Sequence, residues 1–136
     1  MKRVFADSGY WIALLNPRDA LHAKATEISK ELGRVRIVTS ELVLTEVLNA
    51  FARRGSVLRD AVCLLVDQIQ SNPNTEVVPM TSDAFRQAMK FYRSRSDQTW
   101  SLTDCTSFFT MQENGITEAL SADEDFVQAG FRALLR

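Results

Sequence analysis

The feature that most constrains the fold is a regular alternation of short β-rich runs with longer helical patterns along 136 residues. The runs are KRVFA (2–6), RVRIVT (34–39), TEVVPM (75–80), ITEALSA (116–122) and FRALLR (131–136). Between them, helical patterns cover 8–15, 19–32, 41–54, 57–70, 82–94 and 103–113, with a short turn at 124–128. The helix from 41 is the clearest, because Leu44, Val47, Leu48 and Phe51 recur at i, i+3, i+4 and i+7 and Gly55 ends it. Strands separated by helices pair in parallel through right-handed crossovers. The expected architecture is therefore α/β, a three-layer α/β/α sandwich around a central parallel sheet. Residues 1–136 suffice for one full core and not for two, so one domain is expected. Asn72-Pro73-Asn74 and Asn114-Gly115 read only as turns.

Composition removes several function classes. Hydrophobic residues make up 46% and charged residues 24%, which fits an ordinary globular chain. The formal net charge of -1 supplies no overall attraction to polyanions, so any such binding needs a local patch or metal ions. No apolar run approaches the roughly 18 residues of a membrane span, and Asp7 interrupts the apolar part of the N-terminus, so neither a membrane anchor nor a secretory signal is expected. Cys63 and Cys105 lie far apart with no ligand-spaced partner, which argues against zinc and disulfides and for reduced thiols in a cytoplasmic protein.

Four acids carry the chemical signal. Ligands of open parallel sheets bind beyond the carboxyl ends of the strands. Asp7 directly follows RVFA and Asp123 directly follows EALSA, so both should project from that edge. Asp104 opens the helix after WSLT, and Glu46 sits at the margin of the buried face of ELVLTEVLNAF. Singly, each has an ordinary explanation as a helix cap, a dipole partner or a boundary residue. As a set they share an edge with no adjoining basic residue. Such carboxylates repel one another, which raises their pKa values and destabilises the empty fold. A hard divalent cation, Mg²⁺ or Mn²⁺, removes that penalty and suits hydrolysis of a phosphodiester or phosphate.

The blocks FADSGYWIALL, TSELVLTEVLNAF, SLTDCTSF and ALSADEDFVQAGFRAL resemble a PIN domain of the VapC-like toxin branch, nearly end to end. The resemblance implies a Mg²⁺- or Mn²⁺-dependent endoribonuclease that leaves a 5′ phosphate and a 3′ hydroxyl. It also implies a homodimer and a small antitoxin whose segment occupies the groove. Carried over by position, Asp7, Glu46, Asp104 and Asp123 would be the catalytic, metal-binding acids, and Ser8 would orient water or a phosphate. Asp123 matches a D-x-x-F pattern ending at Phe126, while Asp125 is an extra acid expected at the surface.

Substrate handling has a weaker signature. In AFRQAMKFYRSRS (84–96), Arg86, Lys90 and Arg93 share one helical face at i, i+4 and i+7. That face is either a phosphate-tracking patch for RNA, with Tyr92 or Trp100 as a stacking surface for an unpaired base, or a solvated surface. His22 is expected to pack or face solvent, and Tyr10, Trp11 and Ile12 to serve helix packing or a dimer surface. A phosphatase-like or receiver-like site would want an aspartate two residues after Asp7, where Gly9 stands. The rival from another class is an RNA-binding or protein-interaction module that keeps the fold without turnover.

Overall fold

Val4, Phe5 and Ala6 are apolar in succession, so the strand that contains them must be covered on both faces. The computed structural model, which describes residues 1–136, places that strand, β1 (Lys2–Ala6), at the centre of the sheet with all three side chains fully buried. The chain continues through α1 (Ser8–Leu15), α2 (His22–Glu31), β2 (Val35–Ser40), α3 (Glu41–Ala50), α4 (Ser56–Ser71), β3 (Thr75–Val78) and α5 (Ser82–Ser94). It ends with α6 (Leu102–Glu113), β4 (Glu118–Leu120), α7 (Glu124–Gln128) and β5 (Arg132–Ala133). Every pairing is parallel, and the five strands run β3-β2-β1-β4-β5. Strand order therefore reverses at β1.

The reversal separates the helices. α1 packs on α2, α3 and α4, and α5 packs on α6, which gives the expected three layers around a parallel sheet. No helix is long and apolar enough to cross a membrane. Several ends differ from the sequence expectation for local reasons. The second helix starts at His22 rather than 19 because the Asp19 carboxylate accepts the Leu21 amide at 2.8 Å and holds a turn there. The helix from 41 stops at Ala50, and Gly55, at φ +88°, begins α4. β4 and β5 shrink to three and two residues; β5 is an edge strand with β4 as its one partner, and each of the β1–β4 and β4–β5 pairings spans only two residue pairs.

Two features of the core hold the carboxyl edge in place. Thr39, fully buried on β2, donates its hydroxyl to the Ala6 carbonyl at 2.9 Å and accepts the Trp11 indole N–H at 3.4 Å. This satisfies a buried hydroxyl and ties the end of β1 to β2 and α1. On the other layer, Phe108 meets Trp100 and Phe126 edge-on at 5.1 and 4.9 Å and lies 5.7 Å from Phe131. That cluster fixes α6 and α7, and with them the residues at their N-termini.

Tyr10 and Trp11 are 2% and 6% exposed, so they are core residues and not a dimer surface. His22 is half-buried and bonds the Ala13 carbonyl through Nδ1 at 2.7 Å, which pins α2 to α1. Phe108→Ala should destabilise the protein by about 3–5 kcal/mol in urea unfolding, through lost burial and a poorly collapsible cavity. Phe85→Ala, at a 45% exposed side chain, should change stability by less than about 0.5 kcal/mol.

Candidate active site

The carboxyl end of β1 opens beside that of β4, at the switch in strand order. The Asp7 amide donates to the Leu120 carbonyl at 3.2 Å, so the two strand ends remain joined as the chain leaves the sheet. Asp7 stands at the N-cap of α1 but makes no side-chain capping bond to that helix. Its Oδ2 instead accepts the Ser121 hydroxyl at 3.2 Å, and the same hydroxyl oxygen accepts the Asp123 amide at 3.0 Å. Ser121, buried at the end of β4, thus connects the two acids that leave the strands.

The other acids arrive from helices. Asp104 forms a reciprocal capping box with Ser101: the Ser101 amide donates to Asp104 Oδ2 at 3.1 Å, and the Asp104 amide donates to the Ser101 hydroxyl at 3.0 Å. Asp123 caps α7 by accepting the Asp125 amide at 2.9 Å. Both therefore have the capping role that a single-residue reading assigns them, and both also stand in a shared cluster. Carboxylate oxygens of Asp104, Asp123 and Asp125 lie within 4.8 Å of one another. Asp125, partly exposed as Asp104 is, belongs to this group, a role that the sequence leaves open. Its only sequence signal is the D-x-D spacing at the start of a helix too short for periodicity.

Electrostatics extends the cluster to Asp7 and Glu46. Burial pushes the Asp7 carboxyl up from 3.8 to about 6; the Ser8 amide and Ser121 hydroxyl oppose the shift, and Asp104 and Glu46 add to it. Burial also raises Glu46, opposed by hydrogen bonds with the Ser8 and Thr103 hydroxyls and reinforced by Asp104. Asp104 is raised by burial and by Asp123, against the Ser101 bonds. Asp125 is raised by burial first, then by Asp123 and Asp104. No ion pair involves any of the five acids. Arg136 reaches only the backbone beside them, with its guanidinium on the Ala122 carbonyl at 3.3 Å.

The structure thus places Asp104 and Asp123 in one tight group, with Asp7 and Glu46 near enough to Asp104 to feel its charge. It adds Thr103, Ser121 and Asp125. Ser121 carries a faint signal as the one hydroxyl within the apolar run EALSA; Thr103 is indistinguishable in sequence from any first-turn residue. Arg86, Lys90 and Arg93 are not in the acid cluster. They lie together on the exposed side of α5, lining a groove of about 370 Å³ with Met89 and Ser94. Arg86 makes only a long contact to Asp83, at 3.8 Å.

Trp100 does not offer a stacking surface. It is 4% exposed, stacked on Phe91 with ring centroids 5.9 Å apart, and covered by the Arg95 guanidinium at 4.8 Å. Tyr92, at 54%, remains exposed.

Known proteins share this arrangement of fold. A family model described as PIN domain matches residues 4–132. The 23S rRNA-specific endonuclease VapC20 of Mycobacterium tuberculosis is 33% identical over 128 residues, covering 94% of this chain and 95% of its own. The crystal structure of VapC20, a sarcin-ricin loop cleaving toxin, superposes with a TM-score of 0.83 at 30% identity, over 94% of this chain and 95% of that one. At fold level, VapBC2 from Rickettsia felis, bound to a DNA fragment from its promoter, matches with a TM-score of 0.66 at 10% identity and covers 96% of each chain. FitAcB from Neisseria gonorrhoeae matches with a TM-score of 0.64 at 11% identity, over 96% of this chain and 94% of that one. With a family model spanning nearly the whole chain and a full-length relative at one-third identity, the chain belongs to the PIN domain family.

Proposed function

We propose that this protein is an endoribonuclease toxin that hydrolyses RNA phosphodiester bonds, with ribosomal RNA as the first substrate class to test. The observation that carries the reading is a tight group of three carboxylates, Asp104, Asp123 and Asp125, with Asp7 and Glu46 electrostatically linked to it and no cation paired to any of the five, in a chain one-third identical to a 23S rRNA endonuclease. Thirty per cent identity to a toxin over 94% of the chain supports a small antitoxin as partner, and the family resemblance implies a homodimer as the working form. A binding-only module would have no need to retain mutually repelling acids at the expense of stability.

The donor set fits a hard divalent ion. All its ligand atoms are carboxylate oxygens, those of three acids lie within 4.8 Å of one another, and no cation of the protein pairs with them. Asp104, Asp123, Asp125, Asp7 and Glu46 would hold Mg²⁺ or Mn²⁺. When bound, the ion supplies a more acidic water and stabilises negative charge on the phosphoryl oxygens. The protein's own groups do the positioning. The Ser8 and Thr103 hydroxyls lower the pKa of the Glu46 carboxylate, Ser121 holds Asp7 against Asp123, and the Asp104 capping box fixes that side chain on the first turn of α6. Arg86, Lys90 and Arg93 on α5 would track the phosphates of the RNA leading to this site.

Cleavage of a fluorescent sarcin-ricin stem-loop RNA in Mg²⁺ or Mn²⁺, and its loss in EDTA, tests the reading directly. Asp7→Asn should reduce the rate at least about a hundredfold, the order expected on loss of a group that stabilises the transition state. Full activity in that variant would remove Asp7 from the reaction. The same carboxylate sets a stability profile. Because its folded pKa lies above 3.8, the folded form binds the proton more tightly, so the stabilisation is complete below about pH 4 and is lost as pH rises through about 6. Metal-free protein should therefore lose about 3 kcal/mol across that window, at about 1.4 kcal/mol per pH unit. In thermal melts Asp7→Asn should flatten the loss, and Mg²⁺ at pH 7.5 should raise the wild-type Tm. Reversing Arg86 and Lys90 to Glu should weaken binding of single-stranded RNA in EDTA and lower the slope of log K against log salt by about 0.7 for each phosphate no longer neutralised. An unchanged slope would make the α5 face a solvated surface.

A further inference from the structure

Beside the acids, the carboxyl edge of the sheet carries one cation. β5 pairs with β4 in parallel, with Arg132 opposite Glu118 and Ala133 opposite Ala119, so both strands end at the same edge. Past the strand the backbone stays on its neighbour: the Leu134 amide donates to the Ala119 carbonyl at 2.9 Å, and the Leu135 amide donates to the Ser121 carbonyl at 3.1 Å. The Leu135 side chain is buried in the core and anchors this exit. Arg136 is thereby held beside the segment Ser121–Asp123, whose first residue donates to Asp7 and whose last caps α7. The residues that directly follow the other four strands include no lysine or arginine, so Arg136 is the only basic side chain that a strand delivers to this edge.

The Arg136 guanidinium has an acid close to either side of its anchor and pairs with neither. Its Nη1 donates to the Ala122 carbonyl at 3.3 Å, and no carboxylate of the protein forms an ion pair with it. Other arginines of the chain are committed. Arg132, at the opposite end of β5, pairs with Glu118, Arg3 divides its donors between Glu76 and Asn114, and Arg95 holds Asp97 at 3.0 and 3.1 Å. A guanidinium offers five N–H donors in a planar fork, and the single bond to Ala122 leaves the rest of the Arg136 fork without a protein partner on an exposed side chain.

This arrangement suits a phosphate. Clustered carboxylates repel a polyanion, so an RNA strand settles over them most readily where positive charge offsets that repulsion. A guanidinium fork binds a phosphate through two parallel hydrogen bonds, and a backbone carbonyl steadies the fork without consuming its charge. Because Arg136 leaves the carboxylate oxygens alone, it adds a cation to the rim of the cluster without competing for the ligands of a metal.

We propose that Arg136 binds a backbone phosphate of RNA beside the cleaved bond and holds the strand over the acid cluster from the β5 side. The proposal rests on the ribonuclease reading for the identity of its ligand. It makes Arg136 a substrate-binding residue separate from the α5 face, because the pairing of β5 with β4 places it next to the acids.

The test measures binding of two fluorescent RNAs, the sarcin-ricin stem-loop and a single-stranded oligomer of mixed sequence, to full-length protein in EDTA over a range of salt. Arg136→Gln should weaken binding about ten- to hundredfold, the loss of a hydrogen bond to a charged group. It should also lower the slope of log K against log salt by about 0.7 to 0.9, the value for one phosphate. Arg136→Lys should keep the slope and recover only part of the affinity, because an ammonium meets a phosphate as a point charge without the fork. Both changes lie at an exposed side chain, so Tm should stay at the wild-type value. Location comes from RNA that carries one uncharged methylphosphonate at each position in turn. Substitution of the phosphate bound by Arg136 should lower the affinity of wild type and leave that of Arg136→Gln as it was. A purely structural role at the Ala122 carbonyl would move neither reading. An unchanged slope, or methylphosphonate effects that are the same in both proteins, would overturn the proposal. Binding is read without metal or turnover, so the two readings fail separately. Protein that cuts RNA with Arg136 indifferent to every phosphate refutes this contact alone, and protein that binds a phosphate through Arg136 but cuts no RNA refutes the nuclease reading alone. Wild type that binds neither RNA at low salt overturns both.

Discussion

The arrangement depends on the position of β1. It is paired in parallel with β2 on one side and β4 on the other, and it is covered by a helical layer on each face. The chain travels outward from β1 in both directions, so the connections after β1 and β4 depart into different layers and leave a crevice where the strands end. Asp7 is the next residue after β1, and Ser121 and Asp123 follow β4. The acids meet there because the topology offers no other outlet for those two strands.

That placement sets stability against function. An aspartate drawn out of water beside two other acids is an unfavourable element of a metal-free fold, and the structure lessens the penalty with hydroxyls and an amide in place of cations. A lysine or arginine would neutralise the cluster more effectively but would occupy oxygens that the proposed metal would need. Ser8, Thr103 and Ser121 orient the carboxylates while leaving their charge available. The strain is of the kind that functional sites retain and the surrounding core must offset. The clusters around Phe108 and Thr39 lie directly behind the site and supply rigid backing.

Much of this is legible in the sequence, for definable reasons. Asp7 and Asp123 can be placed because parallel strands point their ends at one edge, and strand ends are visible as the close of an apolar run. Glu46 is legible because a glutamate beside Val43 and Val47 cannot lie far from the buried stripe. Asp125 is not, because a five-residue helix has no readable period. Trp100 is misread as a stacking surface because the packing of Phe91 and the cover from Arg95 arise where α5 turns back onto α6, a tertiary event with no local signature. The short strands β4 and β5 are overextended in sequence for a related reason: an apolar run reports burial, while strand length depends on the partner available for pairing.

The double use of Asp104 and Asp123 has an evolutionary consequence. Each serves its own helix through backbone bonds that an asparagine or serine could also make, whereas Asp7 makes no side-chain capping bond to its helix. A descendant freed from selection for catalysis would be expected to lose the charge at Asp7 and Glu46 early, with a gain in stability, and to drift at Asp104 and Asp123 only among capping residues. The sequence of an inactive cousin would then preserve the outline of two of its acids long after the chemistry had gone, as a record kept by helix termini.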